Sequence, residues 1–182
     1  MNRDEAWLWV QSELTNDRLL KHVLAVEAIM RELAAYLNKD TEKWGMAGLI
    51  HDIDLGQTAD KPETHALIAA DWLIQRNFEP DIIYAVKAHC DKVQPQSILD
   101  WSLYCADPIS GLIVAATLMH PGKSLNGIDT VYLMNRYREK RFASGANRQA
   151  IAACEKLGLP LESFFDLALT GMRKIGGQLG LP

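Results

Sequence analysis

Apolar residues recur three or four positions apart along almost the whole 182-residue chain. Between 17 and 37, for example, one face carries Leu19, Val26, Ile29 and Leu33. This spacing is that of an α-helix, and no segment shows the strict alternation of a half-buried strand. The sequence therefore predicts an all-α fold, a compact multi-helix bundle.

Capping and helix-breaking residues divide this periodic pattern into several helices. Asp40 or Thr41 can cap a helix that ends at His51-Asp52, and proline suits the first turn of two others. The predicted helices cover 17–37, 41–51, 62–76, 80–89, 97–119, 130–142, 147–156 and 161–175. We expect one domain over 1–182, with a core over about 17–120 and C-terminal helices over 121–182 packed on it.

Composition narrows the class of protein and its partners. The chain is 48% hydrophobic and 23% charged, which is ordinary for a globular protein. Its net charge of −4 argues against a general polyanion binder, so we expect no nucleic-acid polymer as a partner. The longest uncharged apolar run, 109–119, is shorter than a bilayer requires, so we also expect no membrane partner.

The three cysteines indicate a reducing compartment. Cys90, Cys105 and Cys154 are odd in number and widely spread, unlike a disulfide framework or a CxxC metal site. The first residues carry acids early and lack the apolar segment of a signal peptide. We therefore expect a cytoplasmic protein.

Six ionisable residues lie where the helical pattern predicts the protein interior. Four occupy apolar faces of separate helices, and a His-Asp pair ends an apolar helix. Buried ionisable groups are costly unless they are paired or bind a metal. A single such histidine is usually a hydrogen-bonded core residue. This set, however, contains four of the chain's five histidines, and it comprises His22, His51, Asp52, His65, His89 and Asp107.

Imidazoles and carboxylates together suit divalent ions of Fe, Mn, Ni, Zn or Mg. The surrounding segments "KHVLAVEAIM", "GLIHDID" and "YCADPISGLIVAA" resemble the H…HD…D signature of the HD superfamily of metal-dependent phosphohydrolases. The resemblance runs from about Leu20 to Ala115, and "KRFASGANR" and "CEKLGLPLESF" extend it toward the HDIG-type predicted hydrolases. It implies a helical HD fold in which one ion is held by His22, His51, Asp52 and Asp107.

Binuclear members of the superfamily have two more histidines between the HD pair and the last aspartate. His65 and His89 occupy those places, which implies a second ion with Asp52 bridging the two, hence one or two ions per chain. No lysine directly follows the HD pair and no GYP motif is present. These departures argue against a lysine-assisted cyclic dinucleotide phosphodiesterase.

The resemblance implies hydrolysis of a small phosphate ester, a nucleotide or dinucleotide, by metal-activated water. Asp52 and Asp54 are the candidate catalytic residues, although Asp54 also suits a partner of a ligand histidine or a structural acid. A small phosphorylated substrate needs polar or cationic contacts, for which the candidates are Lys61, Lys140, Asn147 and Arg148. A solvated helix face is the alternative for the basic cluster at 138–148.

Two other functions share this pattern. The ligand order also resembles that of HD-fold diiron oxygenases such as myo-inositol oxygenase, which cleave a C–C or C–P bond with dioxygen. A metal-stabilised binding module without catalysis is the third hypothesis. Oxygen consumption and a requirement for Fe(II) distinguish the oxygenase from the hydrolase.

Overall fold

Helices account for all the regular secondary structure. The computed structural model describes residues 1–182 and contains no β-strand, which confirms the predicted all-α class. Two short 3-10 helices cover Leu125–Gly127 and Ala153–Leu157. The α-helices are Arg3–Glu13 (α1), Asp17–Tyr36 (α2), Thr41–Ile50 (α3), Leu55–Thr58 (α4), Leu67–Gln75 (α5), Pro80–Ala88 (α6), Ile98–Met119 (α7), Thr130–Arg138 (α8), Arg148–Ala152 (α9), Leu161–Lys174 (α10) and Gly176–Leu179 (α11).

Side-chain caps determine where the helices near the site begin. The Asp40 carboxylate accepts hydrogen bonds from the backbone N–H groups of Glu42 and Lys43, at 2.9 and 3.0 Å, and so starts α3. Ser97 and Asp100 form a reciprocal capping box at the start of α7. Each cap satisfies N–H groups that a helix leaves without an internal partner.

The helix predicted from Pro62 starts later than expected. Residues 62–66 form turns, and α5 begins only at Leu67. The reason is Ala66, whose φ of +63° lies in the left-handed region that an α-helix excludes. His65 therefore lies in a turn rather than on a helix face, although it still points inward.

Helix α2 is the central element of the core. It packs against α3, α7 and α10. One continuous hydrophobic cluster extends from Ala6 to Leu181, and its fully buried members include Ile29, Leu103 and Phe165. Helices from the N-terminal and C-terminal parts of the chain thus bury apolar surface in the same core, which provides the main stabilisation.

Helix α7 bears on the expectation that no membrane is a partner. Its 22 residues are long and apolar enough to cross a membrane by length and composition, although 56% of its most apolar window is buried inside this fold. Our expectation used only the uncharged run 109–119, which is shorter than the helix, so the length of the run does not exclude a membrane-spanning helix. A core helix has the same length and composition, and the burial of α7 matches that role.

Gly48 allows α3 to approach the backbone of α2. A Cβ atom at this position would lie 2.9 Å from Glu27 Cα and 3.0 Å from the Val26 carbonyl carbon. Both neighbours are backbone atoms and cannot rotate away. The closeness of the two helices therefore requires glycine here.

We predict that Gly48→Ala destabilises the protein. Overpacking typically costs about 1–3 kcal/mol, which exceeds the gain of up to about 1 kcal/mol from alanine's helix propensity. Urea unfolding measures the change. Gly111→Ala in α7 is the matched control, because no atom lies within 4 Å of its Cβ position, and it should stabilise the protein. Equal stabilisation by both substitutions would show that the two helices separate freely.

Candidate metal centre

Five structural elements deliver the six predicted ligands to one place. His22 projects from α2, His51 and Asp52 follow α3, and His65 lies in the turn before α5. His89 follows α6, and Asp107 lies on α7. Three of these residues are buried and the other three are half-buried. The cluster therefore lies at the edge of the core, with access to solvent.

Asp52 divides the cluster into two halves. Its Oδ2 atom lies 3.3 Å from His22 Nε2 and 3.4 Å from His51 Nε2. Its Oδ1 atom lies 3.3 Å from both His65 Nε2 and His89 Nε2. We call His22, His51, Asp107 and Asp52 Oδ2 the first subsite, and His65, His89 and Asp52 Oδ1 the second subsite. Asp107 Oδ1 completes the first subsite, 3.1 Å from His22 Nε2.

Two of the imidazoles are oriented by the backbone of the helix that precedes them. His51 Nδ1 donates to the carbonyl oxygen of Gly48, at 2.8 Å, and His89 Nδ1 donates to that of Val86, at 2.5 Å. In both cases the histidine lies at a helix end and uses a carbonyl three residues earlier. Because the Nδ1 proton points outward, Nε2, which carries the lone pair in the neutral ring, faces the cluster.

The other two imidazoles are oriented by side chains. His65 Nδ1 lies 2.8 Å from Asp54 Oδ1, and His22 Nδ1 lies 3.1 Å from Ser110 Oγ. Since the Ser110 hydroxyl donates to the Asp107 carbonyl, its oxygen is the acceptor for His22. All four Nε2 atoms therefore point toward Asp52. Such partners of ligand histidines are typical of metal sites.

The donor atoms fit divalent ions. His51 Nε2 is completely buried and forms no hydrogen bond. His65 Nε2 and His89 Nε2 lie 3.2 Å apart, and the first subsite has spacings of 3.1–3.9 Å. Donors about 2.1 Å from one ion lie about 3.0 Å apart at octahedral angles and about 3.4 Å apart at tetrahedral angles. The cluster thus has the residue types and the spacing of a metal centre.

The charges of the cluster favour cations. Burial lowers the pKa of His22 and His51, but the charges of Asp52 and Asp107, together with hydrogen bonds to both carboxylates in the case of His22, outweigh this effect. The pKa of His22 rises to about 9 and that of His51 to about 10. The pKa of His65 rises to about 9 for the same reason, with Asp52 and Asp54 as its carboxylates. Protons and metal ions therefore compete for the same nitrogen atoms.

The two central carboxylates remain ionised. Burial raises the pKa of Asp52 and of Asp107, but the neighbouring imidazoles lower each pKa by more than burial raises it. The pKa of both carboxylates therefore lies well below the ordinary value. Charged oxygen donors therefore persist in the cluster at neutral pH.

Asp54 is a positioning residue in this geometry rather than the catalytic residue we predicted. Its carboxylate is completely buried. Oδ1 bonds the His65 ring, and Oδ2 accepts a hydrogen bond from the Ala69 backbone N–H at 3.1 Å. With both oxygens engaged, neither reaches the solvent-exposed side of the cluster.

A cavity of about 500 Å³ opens over the cluster. Its floor is formed by His22, His89 and Asp107, and its walls include Tyr104 and Asn147. No lysine or arginine side chain lines it. Inside α7, Pro108 lacks the N–H that would bond the Tyr104 carbonyl, and both residues face this cavity.

Only one of the four residues that we predicted to contact the substrate lines the cavity. Asn147 lines the cavity, and its Oδ1 caps α9. Lys61 and Lys140 are exposed and do not line it. The Arg148 guanidinium is also not available to an anion there, because it donates to the backbone carbonyls of Tyr137, Phe142, Ala143 and Ala146. Arg148 therefore stabilises the loop beside the cavity.

Cys90 is a neighbour of the cluster that the sequence analysis missed. Its Sγ atom and the ligand nitrogens of His65 and His89 all lie within 4.8 Å of one another. A lone cysteine has no spacing signal, so only the position next to His89 could have indicated it. Burial raises the pKa of the Cys90 thiol to about 11, so the free thiol is protonated at neutral pH.

Comparison with known proteins adds the family. The family model described as HD domain matches residues 19–120, more than half of the chain. This chain belongs to the HD domain family. The resemblance of its sequence to HD phosphohydrolases is thereby confirmed, and the HD domain is a metal-dependent hydrolase. No solved structure matches the chain.

Several curated relatives are bacterial ribonucleases. Ribonuclease Y of Desulfotalea psychrophila is 37% identical over 84% of this chain and 32% of its own length. Ribonuclease Y of Oleidesulfovibrio alaskensis is 34% identical over 53% of this chain and 18% of its own length. The chain thus spans between about a fifth and a third of these relatives.

Our predictions that neither a nucleic-acid polymer nor a membrane is a partner are wrong. We expected a small phosphorylated substrate and no nucleic-acid polymer, but the relatives are named for action on RNA. The net charge of −4 describes the whole surface and not the site. The predicted absence of a membrane partner also fails, because α7 meets the length and composition of a span and this chain covers only part of its relatives.

We predict that Asp54→Asn weakens binding at the second subsite by about 10–100-fold, the usual effect of removing the partner of a ligand histidine. An amide cannot accept from both His65 and Ala69, so stability should also fall by about 1–3 kcal/mol. Isothermal titration with Mn²⁺ and urea unfolding measure the two effects. Asp60→Asn, at an exposed site, is the control. Equal weakening at both subsites would contradict the role of Asp54.

Metal binding should release protons. His22, His51 and His65 are protonated near pH 7 in the metal-free protein because their pKa values lie at about 9 to 10. A metal ion binds only neutral imidazole, so the apparent affinity should increase as the pH rises through the neutral range. Titration calorimetry of chelator-treated protein in buffers of different ionisation enthalpy counts the protons. Binding without proton release would show that the imidazoles are already neutral.

Proposed function

We propose that this HD domain is a phosphodiesterase that hydrolyses ribonucleotide phosphodiester bonds at a centre for two divalent ions. The observation that carries the proposal is the position of Asp52, whose two oxygens each face a pair of imidazole Nε2 atoms. One carboxylate between two sets of donors is the arrangement that a bridging ligand requires. The ribonuclease relatives support the class of substrate.

Each ion would have its own donors. The first would be held by His22, His51 and Asp107, the second by His65 and His89, and Asp52 would serve both. Divalent ions bound there supply Lewis acidity, which lowers the pKa of water and neutralises phosphoryl oxygens. Mixed imidazole and carboxylate donors suit Fe, Mn, Ni, Zn or Mg.

The residues that line the cavity would position the phosphate ester beside the ions. His22, His89 and Asp107 form the cavity floor, so a phosphate placed there lies beside both subsites. Tyr104 offers an aromatic ring on the wall, on which a base can stack. Asn147 lines the same cavity, and because its helix cap uses only Oδ1, its amide nitrogen would be free to donate to a phosphate.

The cavity favours a short, single-stranded substrate. Its volume of about 500 Å³ falls in the range of small-molecule sites. Phosphates next to the scissile bond meet no lysine or arginine in the cavity. A long polyanion therefore gains little electrostatic attraction here, so we expect an oligoribonucleotide to be cut about as well as a longer RNA.

The test uses metal-loaded protein and a panel of one labelled oligoribonucleotide, the same sequence as DNA, a dinucleotide and a mononucleotide. We expect cleavage of the oligoribonucleotide under nitrogen as well as in air. Oxygen consumption without phosphoester cleavage would instead indicate an oxygenase. Cleavage of the mononucleotide alone would overturn the phosphodiesterase proposal.

Asp52→Asn should lower the cleavage rate by at least about 100-fold. Removing a residue that only positions a ligand typically costs about 10–100-fold, and Asp52 would contact the ions itself. The amide cannot bridge two cations as a carboxylate does, so the bound metal should also fall below the wild-type amount. Elemental analysis measures the metal, and circular dichroism checks the fold. Asp60→Asn, purified in the same way, controls for contaminating nuclease. Wild-type metal content and activity in Asp52→Asn would contradict the proposal.

A further inference from the structure

We infer that the thiolate of Cys90 is a fourth protein ligand at the second subsite. This inference rests on the proposed two-ion centre. The three ligand atoms concerned, Cys90 Sγ and one ring nitrogen each of His65 and His89, lie within 4.8 Å of one another. Sulfur and imidazole ligands about 2.3 and 2.1 Å from one ion fall within such a spacing.

The two subsites are otherwise unequal. The first subsite has four side-chain donors, from His22, His51, Asp52 and Asp107, whereas the second has only three. Cys90 would bring the second subsite to four donors, which is the usual number for zinc. Its place on the cavity wall leaves the sulfur accessible to an incoming ion.

The end of α6 holds Cys90 in this position. The backbone N–H of Asp91 bonds the Ala88 carbonyl at 3.2 Å, and that of Lys92 bonds the Lys87 carbonyl at 3.1 Å. Asp91 has a φ of +63°, so the chain leaves the helical direction one residue after Cys90. The thiol therefore follows His89 directly, on a backbone fixed by hydrogen bonds.

Lys92 also ties this helix end to the turn that carries His65. Its ammonium group donates to the carbonyls of Pro62 and Glu63, at 2.8 and 3.1 Å. The Cys90 thiol forms no disulfide and donates no hydrogen bond to a protein acceptor, in contrast to Cys154, whose thiol donates to the Leu159 carbonyl at 3.7 Å. The Cys90 sulfur thus lies beside His65 and His89, and no protein acceptor holds its proton.

A thiolate ligand changes which ion the second subsite prefers. Thiolate favours Zn²⁺, Co²⁺ and Fe²⁺ over Mg²⁺ and Mn²⁺. The first subsite, with nitrogen and oxygen donors only, has no such bias. On binding, the sulfur–hydrogen bond breaks, the sulfur–metal bond forms with the same electron pair, and the proton leaves to solvent. Neither sulfur nor metal changes oxidation state.

The experiment titrates chelator-treated full chain with Co²⁺ without oxygen and records its absorption. Visible d–d bands report cobalt bound by the protein, and a near-ultraviolet sulfur-to-cobalt band reports a thiolate ligand. We expect two Co²⁺ per chain and the sulfur band in the wild type. In Cys90→Ser the sulfur band should disappear. The second Co²⁺ should also bind at least about tenfold more weakly, because removing even a residue that only positions a ligand has an effect of this size.

A matched control variant keeps the Cys90 thiol and removes the other two cysteines. Cys105→Ala/Cys154→Ala leaves Cys90 as the only cysteine, and its sulfur band should persist. Two Co²⁺ per chain without a sulfur band would overturn the role of Cys90 while leaving the two-ion centre intact. A single Co²⁺ with a sulfur band that Cys90→Ser removes would support the Cys90 ligand but contradict the two-ion proposal. A sulfur band that survives in Cys90→Ser would also overturn the inference.

Discussion

The buried carboxylate of Asp52 is the constraint on which the centre depends. It is only 5% exposed, and an ionised carboxylate in such a place is costly unless it is paired. Four imidazole nitrogens surround it at 3.3–3.4 Å. Since these imidazoles come from four different segments, the bundle must bring those segments together before the charge is compensated.

The same backbone that ends the helices also orients the ligands. His51 and His89 each bond a carbonyl three residues earlier, in the last turn of their own helices. Gly48 supplies one of these carbonyls and also permits α3 to lie against α2. Helix packing and ligand orientation are therefore coupled at Gly48, and a shift of α3 would move His51 relative to His22.

Much of this arrangement could be predicted from the residue pattern. Apolar periodicity predicted α2, α6, α7 and α10 closely, because each buries one face and begins at a cap or a proline. The six predicted ligands stood out because ionisable groups on apolar faces are rare without a partner. Ala66 could not be predicted, since alanine has no preference for the left-handed conformation that delays α5.

Tertiary contacts decided the rest of the site. The basic segment around Arg148 resembled an anion site, but the surrounding loop uses the guanidinium for its own carbonyls. The sequence left Asp54 open as a base, as a partner of a ligand histidine or as a structural acid, and the bonds of its two oxygens to His65 and Ala69 favour the partner role. Cys90 gave no pattern because its relevance arises only when the turn before α5 meets the end of α6.

The net charge of a chain is a poor guide to whether it can cleave a phosphodiester bond, for a physical reason. Net charge governs long-range attraction of a polyanion, which grows with the number of phosphates contacted. Cleavage of one phosphodiester bond depends instead on the few groups at the reacting phosphate. In this cavity those groups are imidazoles and carboxylates, with no lysine or arginine on the walls. Because the floor of this cavity includes the Asp107 carboxylate, our proposal assigns to bound divalent ions the positive charge that would hold a phosphate there. A net negative charge is therefore compatible with the proposed cleavage of RNA, provided that a single phosphate can reach the floor of the site.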